Sequence, residues 1–148
     1  MKKTLTVILA VLLLGGLTVE AGKDDGFWLT DFEKAKGQAA EKGLPILADF
    51  SGSDWCGWCI KLDKEVFSKE AFRKHAKDNY IPFLADFPNR KPQPAEVKAQ
   101  NEKLSKEYKI KGFPTVLLLD AKGKVLGRTG YKPGGPKAYI KHLDNLLK

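Results

Sequence analysis

The sequence predicts an α/β domain in which a central mixed β-sheet is flanked by helices, and three observations carry that prediction. Short apolar runs at 46–50, 80–87 and 115–119 have strand length and composition. Stretches of helical period separate them, so strand, helix and strand imply a parallel pair joined by a right-handed crossover. A turn sequence, Asp120-Ala121-Lys122-Gly123, folds the third run back onto Lys124–Gly127 as a hairpin.

In chain order, Lys2 and Lys3 precede an uncharged apolar run from Thr4 to Val19 that ends Val19-Glu20-Ala21, the outline of a secretory signal peptide covering 1–21. The run is short for a helix crossing roughly 30 Å of hydrocarbon, and an uncleaved anchor is the alternative. Either way the folded part is expected outside the cytoplasm, in the periplasm if the source is Gram-negative. Residues 22–148 are then one domain of 127 residues with a formal charge of +7. No block of five like charges occurs, so the basicity speaks for solubility and acidic partners and against a nucleic-acid footprint. A monomer is the default.

Thr30 and Glu33 form a capping box for a helix at 31–42 that Gly43 and Pro45 end. The strand Ile46-Leu47-Ala48-Asp49-Phe50 follows, its one charge at Asp49. The turn-rich 51–55 leads to a helix that opens near Cys56 and continues through Ile60, Leu62, Val66 and Phe67. A further helical stretch, 70–76, precedes the strand at 80–87. Three prolines exclude regular structure from 88–94, and the helical period returns over 95–108 with Val97, Leu104 and Tyr108 on its apolar face. Gly112-Phe113-Pro114 breaks it ahead of the third strand. Pro136 stands at the start of a last helix carrying Tyr139, Ile140, Leu143, Leu146 and Leu147.

The chain has two cysteines, Cys56 and Cys59, in a C-x-x-C spacing. As a structural staple the pair would be weak, since so small a loop yields at most roughly 2 kcal/mol against about 3 for fifteen residues. At a helix start the same spacing brings two sulfurs within bonding reach while the free amides and helix dipole favour one thiolate. Cys56 is the better-placed nucleophile, and Cys59, one turn inward, would resolve the mixed disulfide. Asp49 fits this chemistry as a buried carboxylate that takes or returns a proton at Cys59. Its alternative is a strand-end residue accepting backbone hydrogen bonds. Zinc would need His75 and His142 to complete a ligand set, and neither forms an H-x-x-H pair or stands near the cysteines in sequence. His75 reads as a solvent-side helix residue and His142 as part of the polar side of the last helix. No metal or organic cofactor is called for. Trp28 reads as a core or docking aromatic, whereas Trp55 and Trp58 flank the cysteines and offer flat surface to a polypeptide.

Phe50 through Cys59 resembles the strand and Trp-Cys-x-x-Cys of the thioredoxin superfamily, and Phe113-Pro114-Thr115 is similar to its cis-proline loop. The stretch Cys59–Phe67 and the lead-in Trp28, Asp31, Ala35, Ala39 and Pro45 resemble the secreted branch that includes the C-terminal domain of the membrane thiol:disulfide interchange protein. The resemblance implies a thioredoxin fold, Cys56 as attacking and Cys59 as resolving thiol. It also implies Pro114 as a cis residue that helps an extended substrate pair with backbone at Phe113, beside Thr115. Trp55, Gly57 and Trp58 would complete the substrate contact. The implied activity is thiol:disulfide exchange on protein or peptide disulfides, reductase or isomerase before oxidase, served by an upstream redox partner such as a membrane electron donor. A non-catalytic binding module with a redox-sensitive cysteine pair is the alternative.

Four departures from that pattern bear on the site. One extra residue separates Asp49 from Cys56, Gly57-Trp58 replaces the common Gly-Pro, and 80–87 carries no lysine. The segment 88–94 is also long for this connection. If it lies at the carboxyl edge of the parallel strands, where such folds bind, Arg90 and Lys91 are placed to help select a partner.

Overall fold

A computed structural model describes residues 25–148. The expected signal peptide, 1–21, lies outside them.

The sheet forms first from strand β1, Ile46–Ser51, all six of whose residues are buried. It pairs in parallel with β2, Ile81–Asp86, and antiparallel with β3, Thr115–Leu119, which pairs antiparallel with β4, Val125–Thr129. The order is β2-β1-β3-β4, the mixed sheet expected. Leu29 adds one parallel bridge beyond β2, donating from its amide to Pro82 O at 3.0 Å and accepting from Leu84 N at 2.9 Å.

Side chains alternate across the sheet with the period of two that strands impose. Ile46, Ala48 and Phe50 of β1 join Phe83, Ala85, Leu117 and Leu119 on one face. Helices α1, Phe32–Lys42, and α4, Ala95–Glu107, cover it through Phe32, Ala35, Ala39 and Leu104. Leu47, Val116 and Leu118 face the other way, against α2, Gly57–Leu62, α3, Glu70–Asn79, and α5, Gly135–Leu146. Phe67, Phe72 and Tyr139 fill that second core with ring centroids 5.1 to 6.3 Å apart. Asp49, between Leu47 and Ser51, belongs to this face by the same alternation.

Several local details differ from the sequence expectation. The first helix is capped by Asp31, whose carboxylate accepts from Lys34 N at 3.0 Å, so Thr30 is not the cap; its carbonyl accepts from Gln100 Nε2 instead. The helix through the cysteines is not uniform, because Asp63–Phe67 is a π-helical turn that lets the adjacent Val66 and Phe67 both bury. His75 is not on the solvent side. Its Nε2 is shut from water with no hydrogen-bond partner, 3.7 Å from Asp144 Oδ1 between α3 and α5. In α4 the buried residues are Asn101 and Leu104, with Val97 only half-buried. Asn101 is polar and 1% exposed because its Nδ2 donates to Asp86 O at 2.9 Å, tying α4 to the end of β2.

Removing that donor leaves the half-buried Asp86 carbonyl with Gln93 Nε2, at 3.0 Å, as its remaining side-chain donor, and opens a gap where a buried side chain stood. Asn101→Ala is therefore expected to destabilise the fold by about 1–3 kcal/mol, seen as a lower urea midpoint with an unchanged slope.

Candidate active site

The strand register decides which loops meet. Ser51 at the end of β1 lies opposite Asp86 at the end of β2, and Phe50 opposite Thr115 at the start of β3. The segments that follow β1, follow β2 and precede β3 therefore emerge at one edge.

After β1 the chain makes a compact turn, with Trp55 N and Cys56 N both donating to Gly52 O at 3.2 and 2.8 Å. A side chain at Gly52 would overlap the indole of Trp55, so the close approach requires glycine. Cys56 is the N-cap of α2 and its Sγ accepts from Cys59 N at 3.2 Å. The two cysteines are joined in a disulfide with Cα atoms 5.2 Å apart, and Gly52 N lies 3.5 Å from Cys59 Sγ. Both sulfurs thus sit among backbone N–H donors at a helix start, the environment that stabilises a thiolate. Gly57 opens α2 and is exposed.

Aromatic rings border the pair on two sides. Trp55, 43% exposed, stands edge-on to Phe113 at 5.9 Å, and Phe113 packs on Phe87 at 5.2 Å. The Trp55 Nε1–H donates to Phe87 O at 2.7 Å. Trp58, 57% exposed, packs against Tyr131 at 5.1 Å, and the Lys61 ammonium lies over both rings at 5.2 and 5.3 Å. Trp28 packs among Phe27 and Phe67, away from this pair of clusters. The Phe113–Pro114 peptide is cis. Thr115 turns its hydroxyl back to Gly112 O at 2.7 Å.

Asp49 is 5% exposed, its Oδ1 has no hydrogen-bond partner, and it lines one groove with Cys59, Ile60, Asp63, Lys91 and Pro92. Burial pushes its carboxyl up to about 8, helped by the negative charges of Asp63 and Asp86. The reading of Asp49 as a backbone acceptor has no support at Oδ1, which is an orphan. His142 pairs through Nε2 with Thr129 Oγ1 at 2.8 Å, and His75 lies beside Asp144, so each histidine has a neighbour of its own on α5 or β4.

Sequence reasoning missed four contributors. Tyr131 and Lys61 complete the Trp58 cluster, and Glu65 accepts from Tyr131 Oη at 2.6 Å. Asp54 accepts from the amides of Asn89, Arg90 and Lys91 at 2.9, 2.7 and 3.0 Å. These amides, that of Asn89 foremost, hold the Asp54 carboxyl below its ordinary range. The Tyr131 and Asp54 contacts join residues more than thirty positions apart and carry no local signal, whereas Lys61 lies three residues from Trp58 on α2, a helical spacing that could have found it.

The raised Asp49 carboxyl carries a signed consequence for stability. The folded state keeps the proton up to about pH 8 while the unfolded chain loses it near 4, so the folded state binds more protons in between. The associated stability is complete below about pH 4 and is lost as pH rises to about 8, by about 1.4 kcal/mol per pH unit. Asp49→Asn is expected to gain stability relative to the parent as pH rises from 5 to 8, in denaturation curves on the oxidised protein.

The model of the thioredoxin-like domain family matches residues 32–146. The chain is 39% identical over 104 residues to the disulfide bond reductase DsbH of Chlamydia pneumoniae, covering 70% of this chain and 63% of that protein. It is 31% identical to the thioredoxin-related protein DsbJ of the same organism, over 99% of this chain and 45% of that one. The chain thus spans less than two thirds of the length of either relative. Among solved structures, a DsbH oxidoreductase superposes with a TM-score of 0.77 at 35% identity, over 81% of this chain and 83% of the other. With the mixed four-stranded sheet, the helix-capping cysteine pair and the proline loop beside it, these likenesses show that the chain belongs to the thioredoxin-like family and has the thioredoxin fold.

Proposed function

We infer that this protein is an exported thiol:disulfide oxidoreductase that acts on protein or peptide disulfides through Cys56 and Cys59. The observation that carries the reading is the disulfide-bonded pair at the first turn of α2, with the orphaned carboxyl of Asp49 in the groove it shares with Cys59. Export rests on the N-terminal sequence. The reducing direction is supported by the name of the DsbH relative.

In that direction the dithiol form reacts. The Cys56 thiolate attacks one sulfur of the substrate disulfide, forming a mixed disulfide and releasing the other sulfur as a thiolate that takes a proton from water. Cys59 then loses its proton to Asp49 in the fraction of molecules whose Asp49 is ionised, a fraction that grows as pH approaches 8, and attacks Cys56 Sγ. The mixed disulfide breaks, the second substrate sulfur leaves as a thiolate that takes a proton from water, and the Cys56–Cys59 disulfide remains. Two electrons have passed to the substrate, and an upstream dithiol donor, membrane-borne in this reading, must return the pair to the reduced state. A carboxyl pushed up to about 8 by burial lies closer to the range of thiols than an ordinary carboxyl does, so proton exchange with Cys59 is less uphill in either direction. Phe113 and Pro114, with Trp55 and Trp58, offer the extended substrate a surface next to Cys56. Thr115 and Gly57 frame it.

Cys56→Ser is expected to abolish turnover of a disulfide-bonded peptide, whereas Cys59→Ser should accumulate the mixed disulfide, visible as added mass that a reductant removes. A folded, metal-free protein that turns over no disulfide in its reduced form would instead be a binding module. Asp49→Asn should slow the resolving step by about 10²-fold in stopped-flow measurements while leaving the first attack within a few-fold. Titration against glutathione gives the direction: a potential near −270 mV fits a reductase, and one near −120 mV would reverse the assignment.

A further inference from the structure

The segment 88–94 has no regular structure, yet it is held as firmly as a helix end. Asp54, two residues before Cys56, takes three successive amides from it. Just upstream, Ser53 donates from its amide and its hydroxyl to the Asp86 carboxylate at 2.9 and 2.6 Å. The indole of Trp55 holds the carbonyl of Phe87, and Gln93 Nε2 donates to Asp86 O at 3.0 Å. Pro88, Pro92 and Pro94 stiffen the loop further by restricting its unbound conformations. The loop and the approach to the cysteines are therefore one rigid unit.

What that unit turns outward is two cationic side chains, while the two carboxylates that balance them, Asp54 and Asp86, are turned to hydrogen bonds within the unit. Arg90 and Lys91 are exposed, neither is in a salt bridge among the described residues, and Lys91 lines the groove that contains Cys59. The carboxylates around them are engaged. Asp54 is saturated by amides while also drawing on Lys91, Asp86 is held by Ser53, Asp63 by Ser68 Oγ at 2.8 Å, and Glu65 by Tyr131. Cationic side chains carried on a backbone fixed in advance, one of them lining the groove of Cys59, attract a negative group without the cost of ordering a loop first.

We propose that Arg90 and Lys91, presented by the Asp54-anchored loop, select client polypeptides that carry aspartate or glutamate next to the disulfide to be exchanged. This rests on the oxidoreductase reading and adds the class of client to it. Asp54 acts here as a positioning residue.

The test uses three peptides with one disulfide flanked by Glu, Gln or Lys, and the reduced protein as it stands. The expected order of kcat/KM is Glu over Gln over Lys, by roughly three- to tenfold per step, narrowing as ionic strength rises past about 0.15 M. The double variant R90Q/K91Q should bring the three rates together. Compared with Asp54→Asn, which removes the same charge but keeps a side-chain oxygen for the amides, Asp54→Ala keeps both cations but frees the loop, and should cut the Glu-over-Lys ratio by at least half. Equal rates for the three peptides in the parent protein, or an order that survives R90Q/K91Q, would overturn the selection, and a ratio unchanged in Asp54→Ala would overturn the anchoring. If the parent turns over none of the peptides, the oxidoreductase reading itself fails, which is a different outcome from equal turnover of all three.

Discussion

Every part of the site depends on the register of β1 against its two neighbours. A parallel partner on one side and an antiparallel partner on the other bring the carboxyl ends of β1 and β2 and the amino end of β3 to one edge. The cysteine turn, the proline-rich loop and the Phe113–Pro114 loop meet there because the three strands end there. A slip by one residue would also send Asp49 to the opposite face, among Phe83 and Leu117, with no groove to open onto.

Within that arrangement two aspartates five residues apart do opposite things. Asp49 lies in a dry strand with an orphaned oxygen, and burial holds it protonated through neutral pH. Asp54 lies in a wet turn with three amides aimed at it, and they hold it as an anion. The residue type is the same, and the number of hydrogen-bond donors within reach separates the two. One aspartate is suited to moving a proton, the other to holding backbone in place.

Much of this could be read from the chain. Apolar runs of strand length located three strands and a turn sequence the fourth, and the cysteine spacing with Trp55, Trp58 and the Phe-Pro dipeptide located the edge where chemistry is expected. What the sequence did not disclose were contacts made across the fold. Asn101 looks like a surface residue of an ordinary helix until the end of β2 lies beside it. Tyr131 has no periodic tie to Trp58, and the choice of Asp31 over Thr30 as helix cap turns on where Gln100 of a distant helix places its amide. Hydrophobic periodicity reports which face of an element is buried, and it is silent about which partner a polar group finds there.

The far side of the sheet ends in β4, an edge strand with Val125 and Leu126 largely exposed. Such an edge is a template for any unpaired strand that meets it. Here the pairing of β3 with β4 shifts between Leu118 and Leu119, Gly127 interrupts the side-chain row, and Lys124 and Arg128 place charge on either side. These are devices that keep a sheet from growing by a strand. Among the described residues, the one edge of the sheet left without a neighbouring strand is in this way guarded against pairing with a strand of another chain.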